Sequence, residues 1–299
     1  MAAATRSVEA SVESAEAVPR PHTSDLFRRL RKNRGAMVGL GIVGVYVGIA
    51  LLSHVIAPYN PITGDLSQRL QGPARAHWLG TDELGRDVLS RILYGSSTSL
   101  EIQVSSVILT MLVGVPWGLL AGYCGGWVDE ISMRVIDVML AFPGILLAIG
   151  VAAIIGGGLM NVIYAVAVVS VPGFVRLTRG VVLGIRRLEY VVAARGIGES
   201  NLAIMVRYIL PGTVAPIVVQ SSIRMATVLL FASSLSFLGL GVQPPMPDWG
   251  AMLSNARAYM FLSPHVTAAP GVAITIVVIG FNLLGDGLRD VLDPRMRGA

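Results

Sequence analysis

Residues 28–56 read RRLRKNRGAMVGLGIVGVYVGIALLSHVI, and this stretch decides the fold class. Five basic residues, Arg28, Arg29, Arg31, Lys32 and Arg34, crowd against a run of 21 residues, 36–56, that carries no formal charge. A run of about 20 apolar residues is what a helix needs to cross a hydrocarbon core roughly 30 Å thick. Working outward, five further apolar segments follow at 103–123, 135–155, 161–177, 213–240 and 266–284. In the fourth, Pro172 and Gly173 interrupt the run, and Phe142-Pro143-Gly144 is expected to kink the third. The expectation is an all-α membrane protein with six transmembrane helices, uncleaved at its first span, where no small-residue cleavage site follows.

The whole chain agrees with that reading. Of 299 residues 54% are hydrophobic and 14% charged, with a mean hydropathy of +0.69. So little polar surface cannot coat a soluble globule of this size. The net charge of +5 is held in short clusters between apolar blocks, a topological pattern that argues against nucleic acid as a partner and for membrane lipid. With the N-terminus taken as cytoplasmic, 17 Lys and Arg fall on the cytoplasmic side and 5 outside, with Arg224 inside a span. Both termini are therefore expected in the cytoplasm. This divides the chain into a tail 1–35, a membrane domain 36–288 and a tail 289–299, with external loops 57–99 and 241–265.

Two connecting segments carry more than connection. In 81–94, Leu84, Val88, Leu89, Ile92 and Leu93 recur at helical spacing, while Asp82/Arg86 and Asp87/Arg91 stand four apart. That predicts a short amphipathic helix on the outer face, either an external contact through Asp82, Arg86 and Asp87 or a surface helix that packs the second span. The segment EYVVAARGIGESNLA, 189–203, predicts a short helix, a bend at Gly196 and Gly198, and a second helix capped by Ser200 or Asn201. The small pair Ala193 and Ala194 lets such a helix sit closely in another protein's groove, though an ordinary elbow has the same features.

The run 189–211 resembles the EAA motif of ABC importer permeases, through Ala193-Ala194, Gly198 and the closing Leu210-Pro211. Val192 stands where the motif has Glu and Tyr208 where it has its first Ile; Glu189 fits the variant of peptide-importer permeases. HWLGTDELGRDVLSR (77–91) is similar to the external signature of the C-type permease in dipeptide, oligopeptide and nickel importers. GYCGGWVDE (122–130), DVMLAFPG (137–144), LSFLGLG (235–241) and NLLGDGLRDVLDPR (282–295) continue the likeness in order. The resemblance implies a type I ABC importer permease fold in the bacterial cytoplasmic membrane. It implies as partners a second, B-type permease, two ATPase subunits and an extracytoplasmic substrate-binding protein. It makes 189–201 the coupling segment that docks on the ATPase, with Glu189, Ala193, Ala194, Arg195, Gly198 and Glu199 at the contact. Peptides are the expected cargo, with nickel or another small solute as the alternative.

No cofactor is expected on this chain, and ATP with Mg is assigned to the partner ATPases. A Walker A loop needs Lys after Gly, and the single lysine, Lys32, sits in Leu-Arg-Lys-Asn. The four His, at 22, 54, 77 and 265, and the one cysteine, Cys124, lack ligand spacing, so no metal site is expected. Arg224 falls mid-span, where a charge costs about 2.5 to 3.5 kcal/mol on insertion scales. It either lines the pathway and attracts a carboxylate or is held by a structural partner. Asp137 is expected to be an anchor or ion-pair partner. A gradient-driven secondary transporter would need paired intramembrane carboxylates, and an intramembrane enzyme a nucleophile or metal ligands; the spans offer neither.

Overall fold

The computed structural model describes residues 28 and 30–292; residues 1–27, most of the expected tail 1–35, and 293–299 of the expected tail 289–299 lie outside the described residues. Helix α1 (Arg34–Ile56) starts at Asn33, whose side chain accepts from Ala36 N at 3.1 Å. Then come α2 (Val88–Cys124), α3 (Gly126–Ala141), α4 (Gly144–Ile155), α5 (Leu159–Ile185), the short α6 (Glu189–Gly196), α7 (Asn201–Phe237), the short α8 (Trp249–Ala256) and α9 (Pro264–Leu292). Five helices, α1, α2, α5, α7 and α9, are long and apolar enough to cross a membrane, and α3 with α4 forms a sixth apolar stretch bent by 93°.

Small residues set how these helices meet. Where lipid supplies no hydrophobic drive between helices, close backbone approach provides the attraction. On α2, Gly114, Gly118 and Gly122 recur every four residues along the face that meets α5. A Cβ at Gly118 would stand 2.6 Å from the Val175 carbonyl oxygen, and one at Gly122 would stand 2.8 Å from Val182 Cβ. Likewise, a Cβ at Gly39 of α1 would lie 2.5 Å from Leu284 N of α9. The buried core between α2, α4, α5 and α7 is Ile102, Val107, Val162, Val166, Val228 and Leu235.

Several boundaries differ from the sequence expectation. The third segment bends at the expected place but far more sharply than a kink: Phe142 is extended (φ −90°, ψ 137°), as proline imposes on its predecessor, and α3 and the 12-residue α4 meet at 93°. The fourth is not interrupted, since α5 runs through Pro172 and Gly173 for 27 residues. Pro211 stands in the first turn of the α-helical stretch Leu210–Phe237. A π-helical turn, Ile204–Ile209, lies before it, and Leu210 N donates to Met205 O. The wider turn absorbs the missing proline N–H, so α7 is continuous from Asn201.

Loop 57–87 is folded on itself, and the amphipathic helix expected at 81–94 is absent as a separate element. Residues 81–87 make a tight turn closed by an antiparallel bridge between Thr81 and Asp87, and the helix begins only at Val88, continuous with the second span. Gly85 (φ +72°) is required there, because a Cβ would lie 1.8 Å from the Asp65 carbonyl oxygen.

Candidate functional site

Three places carry the residues singled out by sequence. At one end of the bundle, α6 packs through Val191 and Ala194 onto Leu119, Tyr123, Ile204 and Ile209. Tyr123 Oη donates to Asn201 Oδ1 at 2.7 Å, and the Arg195 guanidinium lies 5.6 Å above the Tyr123 ring. Gly198 takes φ +88° to end the helix, and Ser200 caps the next one by accepting from Ala203 N at 3.3 Å. Of the alanine pair, Ala194 is buried while Ala193 faces outward, together with Glu189, Tyr190, Val192 and Ile197; Glu199 is half-buried. The outward side of α6 thus carries an uncovered apolar stripe, Tyr190, Val192, Ala193 and Ile197, on a segment packed against α2 and α7.

At the other end, the external trio is turned inward. Asp82, Arg86 and Asp87 are each under 10% exposed. Asp82 accepts from Leu84 N and Arg86 N, both at 2.9 Å, and from Arg86 Nε at 2.7 Å. Arg91 Nε stands 3.3 Å from the same carboxylate, and its Nη1 donates to Pro61 O at 2.9 Å. The Asp87/Arg91 pair anticipated from spacing is therefore not formed; Asp87 instead caps α2 through Ser90 N (2.8 Å) and meets His77 Nδ1 at 2.9 Å. This burial removes the three side chains from direct external contact and makes them the frame of the loop.

The third place is mid-span. Arg224 of α7 is half-buried and has no hydrogen bond or ion pair among the described residues. Its guanidinium lies across α5 where Gly173 leaves room: a Cβ there would stand 2.4 Å from Nη2 and 3.2 Å from Cζ. The intrachain carboxylate that a structural role would use is elsewhere. Asp137 pairs with Arg176, as the ion-pair reading anticipated, and Asp129 with Arg179, whose Nη2 is 2.6 Å from Oδ2; both pairs tie α3 to α5.

Sequence reasoning missed the relay beside Arg224. Tyr46 Oη donates to Gln103 Oε1 at 2.7 Å, and Gln103 Nε2 donates to Met225 O at 2.9 Å, so α1, α2 and α7 are pinned one residue from the arginine. Trp249 of α8 reaches into the same cluster, 5.8 Å from the Tyr46 ring, lies against Gly95 and donates to Ile92 O at 3.0 Å. The available signal was a glutamine at the start of an apolar run.

The described residues thus form an apolar helical bundle with an exposed short helix at one end, a folded loop at the other and, between them, Arg224 without a partner among the described residues, features that suit a membrane component of a transport system. Residues 114–298 match the family described as the binding-protein-dependent transport system inner membrane component, and residues 23–73 match the N-terminal TM domain of oligopeptide transport permease C. The chain is 49% identical over 275 residues, 91% of each chain, to the glutathione transport system permease protein GsiD of Pectobacterium atrosepticum. It is 44% identical over 273 residues, 91% of this chain and 90% of the other, to the dipeptide transport system permease protein DppC of Alkalihalophilus pseudofirmus. The solved MetNI methionine ABC transporter, inward facing, shares the fold: TM-score 0.55 at 19% identity, covering 68% of this chain and 97% of that one. The chain belongs to the family of binding-protein-dependent transport system inner membrane components, and is an ABC importer permease of the inner membrane.

Proposed function

We propose that this permease forms, with a second B-type permease, the import route for peptide-derived solutes that carry a free carboxylate, glutathione and dipeptides included. The observation that carries the reading is Arg224, a mid-span guanidinium with no carboxylate of its own among the described residues. An unpaired charge at that depth is stabilised when a wet cavity or an anionic cargo meets it. The names of the relatives support the same chemistry, since glutathione and dipeptides share the free carboxylate.

In this reading the α6 end lies in the cytoplasm, as the Lys/Arg bias predicts, and an extracytoplasmic binding protein delivers cargo at loop 57–87. Two ATPase subunits, which hold ATP and Mg, grip the outward face of α6 around Glu189, Ala193, Arg195 and Gly198. Their closure moves α6 as a rigid lever, because Val191 and Ala194 are locked into the α2–α7 cluster. The cavity then switches from inward- to outward-facing, and hydrolysis resets it.

The test is uptake of radiolabelled glutathione and di-, tri- and pentapeptides by cells with and without the gene, with nickel in parallel. Loss of peptide or glutathione uptake is expected. Lost nickel uptake with peptide and glutathione uptake intact would overturn the cargo.

A further inference from the structure

On the α6 side of Arg224, helices α5, α7 and α9 part to leave a groove of about 420 Å³. Its walls include Leu177 of α5, Pro216, Val219 and Gln220 of α7, and Arg289 of α9. Helical register ties the groove to the mid-span arginine. Gln220 stands one turn before Arg224 on α7, about 6 Å along the axis, and Leu177 stands one turn beyond Gly173 on α5. Because α5 and α7 run antiparallel, Arg224 on Gly173 and Gln220 beside Leu177 form successive rungs toward the α6 end. Arg289, in the last turn of α9, sits at the mouth. Above it α9 closes on α7, where a Cβ at Gly285 would lie 2.6 Å from Ile223 Cγ1.

The polar groups of this groove offer donors: the half-buried Gln220 amide and the exposed Arg289 guanidinium. Neither the Gln220 amide nor the Arg289 guanidinium has a hydrogen bond or ion pair among the described residues. Among the described residues the nearby acids are occupied or turned away. Asp137 holds Arg176, Asp290 accepts from Asn33 Nδ2 at 3.1 Å, and Asp286, one turn before Arg289, is exposed and lines no part of the groove. Two donors over apolar walls suit an anionic group on a small, partly apolar body.

We propose that the groove is a release station for the carboxylate of the cargo: the group leaving Arg224 is accepted by Gln220 and then by Arg289 before it reaches the cytoplasm. The inference rests on Arg224 being the carboxylate site of the route. A ladder of donors spaced by single turns lets the anion move without ever standing unpaired in a low-dielectric channel.

The experiment uses the complete importer in proteoliposomes and compares a free-acid dipeptide with its C-terminal amide. Gln220→Leu and Arg289→Gln are expected to lower the maximal rate for the free acid by about fivefold, and for the amide by less than about twofold, with Arg289→Lys restoring most of the loss. Leu177→Glu, at a half-exposed position, adds a repelling carboxylate and is expected to slow the free acid selectively, which keeps the test decisive if Arg289→Gln fails to assemble. Equal losses on acid and amide overturn the station. So does a loss that follows the fraction of phosphatidylglycerol in the vesicles rather than the cargo, which would assign the groove to a lipid headgroup phosphate. If Arg224→Gln discriminates acid from amide and the groove variants do not, the station falls alone. If wild type and Arg224→Gln treat acid and amide alike, both readings fall together.

Discussion

Gly173→Ala separates the stability of this protein from its transport, because the two respond with opposite sign. A methyl at Gly173 would stand 2.4 Å from Arg224 Nη2, whereas ordinary contact begins near 3.4 Å, so the guanidinium must move by about 1 Å. The mover is the far end of a flexible side chain, and no backbone atom lies within 4 Å among the three nearest contacts, so the displacement is cheap in folding energy. Replacing glycine inside a helix by alanine stabilises it by about 0.5 to 1 kcal/mol. Protein level and thermal stability are therefore expected to hold or rise slightly. Binding of the cargo carboxylate is expected to weaken, since a charge-assisted hydrogen bond contributes about 1.5 to 3 kcal/mol and loses strength steeply when misaligned. A loss of about 1 kcal/mol, with the charge retained but the fork displaced, corresponds to a roughly fivefold rise in KM; Arg224→Gln, losing the whole interaction, corresponds to about ten- to hundredfold. The assay is uptake kinetics of a free-acid dipeptide against its amide, beside a melting curve of the purified complex. Unchanged kinetics in Gly173→Ala together with loss in Arg224→Gln would refute the claim that Gly173 sets the guanidinium, and a fall in stability would refute the packing argument.

Tyr46→Phe leaves the buried Gln103 Oε1 without its donor and is expected to destabilise by about 0.6 to 1.7 kcal/mol, the range of interhelical hydrogen bonds in bilayers; a double-mutant cycle with Gln103→Leu checks it, and zero coupling rejects the relay. Asp82→Ala takes from the buried Arg86 its Nε partner, leaving it Glu83 Oε1 at 3.0 Å, and is expected to cost up to about 3 kcal/mol, read as loss of folded protein, whereas a variant as abundant as wild type would show the loop does not depend on it. Ala193→Trp or Gly198→Val is expected to uncouple ATP hydrolysis from uptake while the protein stays in the membrane; normal peptide-stimulated ATPase with normal uptake would remove α6 from the coupling role. Asp248, fully enclosed at the start of α8, has its carboxyl pushed above the usual range by burial, against the pull of its hydrogen bond from Ala251 N at 2.9 Å. A raised folded pKa means the native state binds more protons, so this contribution is present below the unfolded value near 3.9 and is lost as pH rises toward the folded one. Asp248→Asn keeps the cap, and is expected to flatten that decline and to be no less stable at pH 7 than wild type; an unfolding midpoint that falls with pH as in wild type would reject it.

What the sequence made legible follows one physical rule: features set by a single helix and its solvent were readable, and features set by two helices were not. Hydropathy alone located the five spanning helices and the bent α3–α4 stretch, because a helix that crosses a bilayer must be apolar over about 20 residues. The α6 segment was readable because Gly198 and Ser200 specify a helix end and a helix start locally, and both act there as expected. The charges of 81–91 were misread for the same reason. Spacing of four implied helix, yet Asp82 and Arg86 close a turn whose shape comes from Asp65 and Gly85, far from any helical period.

The prolines show the rule most sharply. Pro143 and Pro172 both sit in apolar runs, both lack the N–H and both crowd the preceding residue. The chain breaks at Pro143 because nothing holds it straight: Phe142 is 57% exposed. It continues through Pro172 because Val171, Phe174 and Val175 are buried around it and seat against Gly114 and Gly118 of α2 at backbone distance. Neighbouring packing thus offsets the lost hydrogen bond, as bilayer helices allow. The unbroken α5 then presents Gly173 to Arg224 at a fixed height, so the placement of the candidate cargo site depends on glycines of a third helix. The consequence is directional: enlarging Gly118 of α2 should disturb Arg224, which it does not touch, by shifting α5. Gly118→Ala, with a methyl 2.6 Å from the Val175 carbonyl oxygen, is expected to cost about 1 to 3 kcal/mol through overpacking and to raise the KM for free-acid peptides selectively. A destabilised Gly118→Ala importer with wild-type preference for acid over amide would show that α5 yields without carrying the arginine's seat with it.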